Sequence, residues 1–407
     1  MNIIRIFVIV FFIAHNLVAQ EIIKLSLVTA EQMALKQNTE YLALIKNVEM
    51  KKSQYLADMT PYRTEVGVEY EQVPPGMGYT NYAEKRAYIS QSFEFPSQYV
   101  FLHKILKAEI AKERFTLELG RRELIFTVKQ SYYNLSLKLA LKKLAVKNVR
   151  LAREFYEKSE AIYRAGEGSY LNLLNARVNF HSVQEQLKAN EKDIEAAAAS
   201  LRAVLGIENQ SVTFSLSDSL TDSVIDMPYD TLRQRLSRHP NIQAASAQEL
   251  AALNEKRYVA GAFLPDISVN YFSQQVDDEK FWGGEIGLSL PLLFWGQTAR
   301  VQEKSAQLNI ARYDLMSVKI RLQKELDEAF AEYQKASSGV YTYQNDILPE
   351  ASEILRVAQA SFAAGEVGYL EYLNGQQIYV QSQTEYLNAL YSQMIAKFWL
   401  EKIAGVD

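Results

Sequence analysis

The chain has 407 residues, a formal charge of −4, no cysteine, and only 9 Pro and 17 Gly. That composition excludes thiol metal sites, disulfides and a lipid on an N-terminal Cys. It also excludes the strongly basic face that nucleic-acid binding needs. No proline falls between Pro96 and Pro228, so the punctuation expected of ordinary short helices is missing.

In chain order, residues 1–19 read as a secretory signal peptide. Arg5 supplies the positive charge, Ile6–Ala14 the apolar run, and Ala19 a small residue before a cut at Gln20, with Leu17 large for the −3 position. The apolar run is too short for ~30 Å of hydrocarbon, which takes about 20 residues. No later stretch approaches that length, so any membrane-crossing part must be β.

A helix is predicted over roughly 29–58, ending near Pro61. Two alternating runs follow, Thr64–Glu71 and Tyr88–Phe95, around the turn-rich Val73-Pro-Pro-Gly-Met-Gly. Period-two alternation of Val, Tyr and Phe with polar residues marks strands with one apolar and one polar face. A long helix then covers about 97–164. Its apolar residues Leu117, Leu124, Val128, Leu135 and Leu139 step by seven, four, seven and four, an 11-residue period close to a straight helix. At 1.5 Å per residue it reaches roughly 100 Å, too long for a compact domain, so it must bundle into something elongated. A glycine turn at Gly166 starts a return helix of about 36 residues.

The polar segment 208–230 connects to a second pass through the same order. A helix over 231–260 ends near Pro265, and strands follow at Ile267–Phe272 and Gly284–Leu290 around Gln275-Val-Asp-Asp-Glu. A helix over 296–363 carries Pro349 as an expected kink or break, with Gly120 and Gly339 as local blemishes in the two long helices. Residues 166–175, GEGSYLNLLN, match 365–374, GEVGYLEYLN, at six of ten positions, and the offset of 199 continues without a gap to Gly206/Gly405. The chain therefore reads as signal 1–19, first repeat 20–207, connector 208–230 and second repeat 231–407.

Four short amphipathic strands cannot cross a bilayer as an open sheet, because unpaired edge amides and carbonyls cost several kcal/mol each in hydrocarbon. The sheet must close with other copies. Three copies would give twelve strands around a lumen, although closure alone does not specify three. Tyr62, Tyr70, Tyr88, Phe93, Tyr271 and Trp282 stand where interfacial girdles would lie. The competing reading of each strand pair is a soluble hairpin at the end of a stalk.

This order, with the turns Ala165-Gly-Glu-Gly-Ser-Tyr-Leu-Asn and Ala364-Gly-Glu-Val-Gly-Tyr-Leu-Glu and the junctions Phe95-Pro-Ser-Gln and Phe294-Trp-Gly-Gln, resembles the TolC-like outer-membrane efflux family. The resemblance covers essentially the whole mature chain. It implies a mainly α fold with a small membrane β part: a tandem repeat of long α-hairpins plus four strands per chain in a twelve-stranded trimeric barrel. It also implies an outer-membrane duct extending into the periplasm, a belt that includes 208–230, and partnership with a periplasmic adaptor and, indirectly, an inner-membrane pump. Drugs or metal ions are the expected cargo. Protein secretion and a non-transport periplasmic coiled-coil protein are the alternatives.

Two sets of site residues carry over by position. Gly166, Glu167, Gly168, Ser169, Tyr170 and Leu171, with Gly365, Glu366, Val367, Gly368, Tyr369 and Leu370, would dock the adaptor. The glycines alone are what a helix turn requires, and the repeated Tyr-Leu could equally pack the hairpin internally. Glu371 stands where many members carry an aspartate at the periplasmic aperture, and Asn374 and Asn172 stand where others carry further aspartates. The Asn residues depart from that pattern and weaken an acidic constriction. No catalytic constellation is visible: His15, His103, His181 and His239 are scattered, and no metal-binding or phosphate-cradling motif occurs. No enzyme activity, cofactor or metal is expected.

Overall fold

The computed structural model describes residues 22–78, 80–222, 224–225, 227–276 and 279–405. The signal segment 1–19, His15 and the cut at Gln20 lie outside the described residues, as do Asp277 and Asp278 of the second strand loop.

The elements run β1 (Ile22–Leu25), α1 (Leu27–Gln37), α2 (Thr39–Asp58), β2 (Glu65–Glu71), β3 (Glu84–Phe93), α3 (Pro96–Arg164) and α4 (Tyr170–Leu205). After β4 (Thr213–Leu216) come α5 (Tyr229–Arg235), α6 (Pro240–Gly261), β5 (Asp266–Val276), β6 (Glu279–Ser289), α7 (Phe294–Thr342), α8 (Leu348–Ala364) and α9 (Tyr369–Ala404). The 69 residues of α3 form one helix that continues through Gly120, where the missing Cβ leaves room for Leu44 of α2.

Two helix expectations need correction. The helix expected over 29–58 is two helices. Asn38 takes an extended conformation and its side chain accepts the Tyr41 N–H at 3.0 Å, capping α2. The helix expected over 231–260 is also broken. Residues Leu236–Arg238 form a 3₁₀ turn and His239 is extended, because a residue before proline is pushed out of the helical region. At Pro349 the α-helix is interrupted as expected, α7 ending at Thr342 and α8 starting at Leu348. A π-helical turn over Tyr343–Ile347 precedes it, widening the helix where the proline ring would press on the carbonyl four residues back. Within the connector 208–230, β4 pairs in parallel with β1, from Ile22↔Thr213 to Leu25↔Leu216. The signal was present in Thr213-Phe-Ser-Leu, a short alternating run inside a polar stretch.

The chain divides into two compact units, each drawing on both halves of the sequence. One comprises the described part of Met1–Gln37 with Thr127–Thr221 and Tyr341–Tyr391. Here the β1–β4 strap is tied to α3 by Tyr132, which is fully buried. Its hydroxyl lies 3.0 Å from the Leu25 carbonyl and 2.8 Å from the Asp218 carboxylate, and accepts the Asp218 N–H at 3.2 Å. The Leu27 N–H donates to the same carboxylate at 2.9 Å. Burial is the main reason the Tyr132 hydroxyl is pushed up to about 12. Buried polar groups persist only when so satisfied.

The other unit comprises Asn38–Phe126, Asp222–Val340 and the described part of Ser392–Asp407. Its helical core packs Leu232 and Leu236 against Leu326, Ala329, Tyr333 and Leu400. The unit also holds the four-stranded sheet, in the order β2-β3-β5-β6 with every pair antiparallel. The two strand pairs, far apart in sequence, meet along β3 and β5, from Glu84↔Val276 to Phe93↔Ile267. Strands β2 and β6 are left as free edges among the described residues.

Candidate channel wall and docking tips

The register sorts the sheet into two faces. Val66, Val68 and Tyr70 of β2 lie level with Ile89, Ala87 and Lys85 of β3. These continue to Tyr271, Ser273 and Gln275 of β5, and on to Gly284, Trp282 and Lys280 of β6. Lower rows add Val269 with Ile286, and Phe93 with Ile267 and Leu288. Apart from Gln91, Ser273 and the loop-end row Lys85, Gln275 and Lys280, this face is apolar and bare: Val66 is 78% exposed, Ile286 76% and Trp282 69%. A patch of that size has no place against water. Tyr271 and Trp282 stack on it with ring centroids 5.8 Å apart.

Residues of the opposite parity build a polar face. Glu65, Glu69 and Glu71 of β2, Glu84 of β3, and Glu279 and Glu285 of β6 all belong to it, with Arg86 as the opposing charge. Arg86 lies 3.6 Å from Glu285. Gln72 and Gln274 donate to the two oxygens of Glu84, at 2.8 and 3.1 Å. Of the expected girdle residues, Tyr70, Tyr271 and Trp282 share the apolar face with Phe93, and Tyr62 is exposed below β2. Tyr88 does not belong with them, because its parity puts it on the polar face. The alternation Tyr88-Ile-Ser-Gln hides this: Tyr88 and Ile89 are both apolar, and one of the two must face the other way.

The two hairpin turns lie in the other unit and are built alike. Gly166 and Gly365 adopt φ of +78° and +76°. Each turn closes with the paired bonds of a Schellman cap: Gly166 N–H to the Tyr163 carbonyl and Glu167 N–H to Ile162, then Gly365 N–H to Phe362 and Glu366 N–H to Ser361. A side chain at that φ is strained, so glycine is required there. Ser169 then caps α4 by accepting the Asn172 N–H at 3.2 Å.

The exposed residues differ between the two turns. Tyr170 and Leu171 are 54% and 65% exposed and Leu370 is 68% exposed, but Tyr369 is 4% exposed. Tyr369 packs with Phe155, Ala176 and Tyr372, and Phe155 stacks on Tyr372 at 4.5 Å. The Tyr-Leu repeat thus divides its labour: the first Tyr faces solvent and the second holds the hairpins together. Glu371, Asn374 and Asn172 are exposed. The Glu371 carboxylate folds back over Gly368, at the start of α9 where unpaired amides favour a negative charge. Among the described residues, no group of His, Asp and Glu is arranged to hold a metal ion.

A model of the family described as outer membrane efflux protein matches residues 104–207 and 231–406. The chain belongs to this family. The match leaves out the first strand pair, the start of α3 and the whole connector 208–230, and includes the rest of both long hairpins. Outer membrane efflux protein BepC of Brucella suis is 21% identical over 313 residues, 74% of this chain and 67% of BepC. Cation efflux system protein CusC of Escherichia coli is 22% identical over 300 residues, 69% of this chain and 64% of CusC. The chain thus spans about two thirds of the length of the curated relatives it matches. In fold, a solved structure of CusC aligns with TM-score 0.80 at 19% identity, covering 93% of this chain and 91% of that one. A membrane protein from Pseudomonas aeruginosa aligns with TM-score 0.81 at 17% identity, covering 93% of each. The mainly helical fold with its small β part is that of these solved structures, and by family the chain is an outer membrane efflux protein.

Proposed function

We propose that three copies of this outer membrane efflux protein close their sheets into one twelve-stranded barrel and form a passive duct for small molecules, cations included. The observation that carries this reading is the two-faced sheet with free edges. Its apolar face suits lipid, its polar face suits water, and its edges β2 and β6 run in opposite directions, so joining copies continues the antiparallel order. A second support is the exposed apolar stripe Ile310, Tyr313, Met316 and Ile320 along α7. Such a stripe calls for a covering surface, which an identical neighbour supplies. The carboxylates of the polar face favour cations over anions, in keeping with the cation efflux system to which CusC belongs by name.

The repeat division 20–207 and 231–407, an outer-membrane location without a lipid on an N-terminal Cys, and the partner surfaces belong to the same reading. Tyr170, Leu171 and Leu370 would meet a periplasmic adaptor, positioned by Gly166, Glu167, Gly168, Ser169, Gly365, Glu366, Val367 and Gly368. Tyr369 would serve inside the hairpin. Glu371, with Asn374 and Asn172 beside it, would line the periplasmic aperture. Energy for export would come from the inner-membrane pump.

The test separates duct from docking. Leu171→Asp combined with Leu370→Asp should leave the assembled channel and its ionic current in a planar bilayer unchanged. Cells carrying it should lose export, with substrate tolerance down at least to that of a strain lacking the protein. Wild-type protein that passes no current would remove the duct. Full export by the double variant would remove the tips as the docking surface.

A further inference from the structure

One row across the sheet reads Gly67, Tyr88, Phe272, Gly283, one residue from each strand, all on the polar face. The aromatic rings sit side by side on the inner strands and the glycines on the two edge strands. A Cβ on Gly67 would fall 2.5 Å from Cζ and from the hydroxyl oxygen of Tyr88, and a Cβ on Gly283 would collide with the ring of Phe272. Both rings therefore lean sideways, flat over the neighbouring glycine, instead of standing up from the sheet. Glycine in a strand interior weakens it unless something comes close to the bare backbone, and an aromatic ring laid across it restores the lost packing. The Arg86 guanidinium lies over the Phe272 ring, 3.9 Å from its centroid, and 3.6 Å from Glu285.

We propose that Gly67 and Gly283 set the bore of the duct, and with it the size of solute that passes, by giving these rings a place to lie against the wall. This rests on the barrel reading above, in which the polar face lines the lumen. Three copies would bring the rings into a single layer. Upright rings on opposing walls would take roughly half the width inside a twelve-stranded barrel. Added methyl groups need not unfold the sheet, because the atoms they meet are the far ends of side chains that can rotate away. Rotation leaves the lumen as the open direction.

The chain has no cysteine, so one can be placed at Ser92, which lies beyond the ring row from the outer loops on the same face. The probes are a small maleimide and a polymer-linked maleimide too large for the cell's general porins, applied to intact cells. In an otherwise wild-type chain both should label Ser92→Cys. Adding Gly67→Ala with Gly283→Ala should slow the large probe on the order of tenfold and leave the small one unchanged. Removing the rings as well, with Tyr88→Ala and Phe272→Ala, should restore the large probe's rate. An unchanged large-probe rate in the assembled double-alanine chain would overturn the proposal. So would failure of that chain to assemble, since the rings would then not be free to swing. A wild-type background in which even the small probe never reaches Ser92→Cys would instead sink the barrel reading itself.

Discussion

Replacing Ile89 by arginine should abolish stable insertion, whereas the same replacement one residue along, at Ser90, should be tolerated. Ile89 lies in the middle row of the apolar face, between Val66 and Tyr271, and Ser90 faces the opposite way, between Glu65 and Asn270. An arginine on the lipid face near the bilayer midplane costs about 2–4 kcal/mol. Because every copy carries the change, the ring pays roughly 6–12 kcal/mol, comparable with the whole stability of a folded domain. On the polar face the same side chain meets water and carboxylates. The heat-resistant oligomer in outer-membrane fractions reads the difference: lost in Ile89→Arg, kept in Ser90→Arg. Equal behaviour of the two variants would mean that the faces do not see different solvents.

The second large effect is a stability that falls on acidification, traced to His239. Its side chain is 6% exposed and accepts the Asn241 N–H through Nδ1, which requires a neutral ring. Burial lowers its pKa from 6.5 to about 4, and the cations Arg122 of α3 and Lys402 of α9 add to the shift. The unfolded chain binds a proton near pH 6.5, whereas the folded chain refuses it until about pH 4. The unfolded state therefore gains protons first as pH falls. Stability is full above about pH 6.5, declines between about 6.5 and 4, and loses about 3 kcal/mol per chain by the lower limit. His239→Asn keeps an oxygen acceptor for the helix cap and does not titrate. Denaturant midpoints measured against pH in detergent should diverge between the two proteins below pH 6.5, with the variant less sensitive. Parallel curves would show that His239 is not the responsible group.

The periodic elements were legible because their signals are local. Alternation placed all four strands of the sheet, though it missed four or five residues at one end of three of them, and Pro96 and the Gly166 turn bounded α3 almost to the residue. What stayed hidden depended on partners distant in sequence. The polar run 208–230 shows its strand only once Ile22–Leu25 is brought beside it, and the hydroxyl of Tyr132 has a purpose only with Asp218 in reach. The breaks at Asn38 and His239 were readable in principle: Asn is a strong helix cap, and His239 precedes Pro240. At the tips, sequence identity between Tyr170 and Tyr369 suggested equal roles. Packing assigns them different ones, because only Tyr369 has Phe155 and Tyr372 to bury against. Gly67 and Gly283 stood out in no pattern, because their use as seats for Tyr88 and Phe272 depends on cross-strand register and on where the rings lie.

The ring closure can be tested most directly at its seam. With no native cysteine to interfere, a cysteine at Val68 on β2 can be paired in turn with one at Trp282, Gly284 or Ile286 on β6, all on the same face. Mild oxidation in outer membranes should link one chain's β2 to the next chain's β6 at one of these registers, giving a covalent trimer and no larger species. Chains that stay monomeric at every register, under conditions where each cysteine reacts with a small thiol probe, would show that the sheet edges never meet.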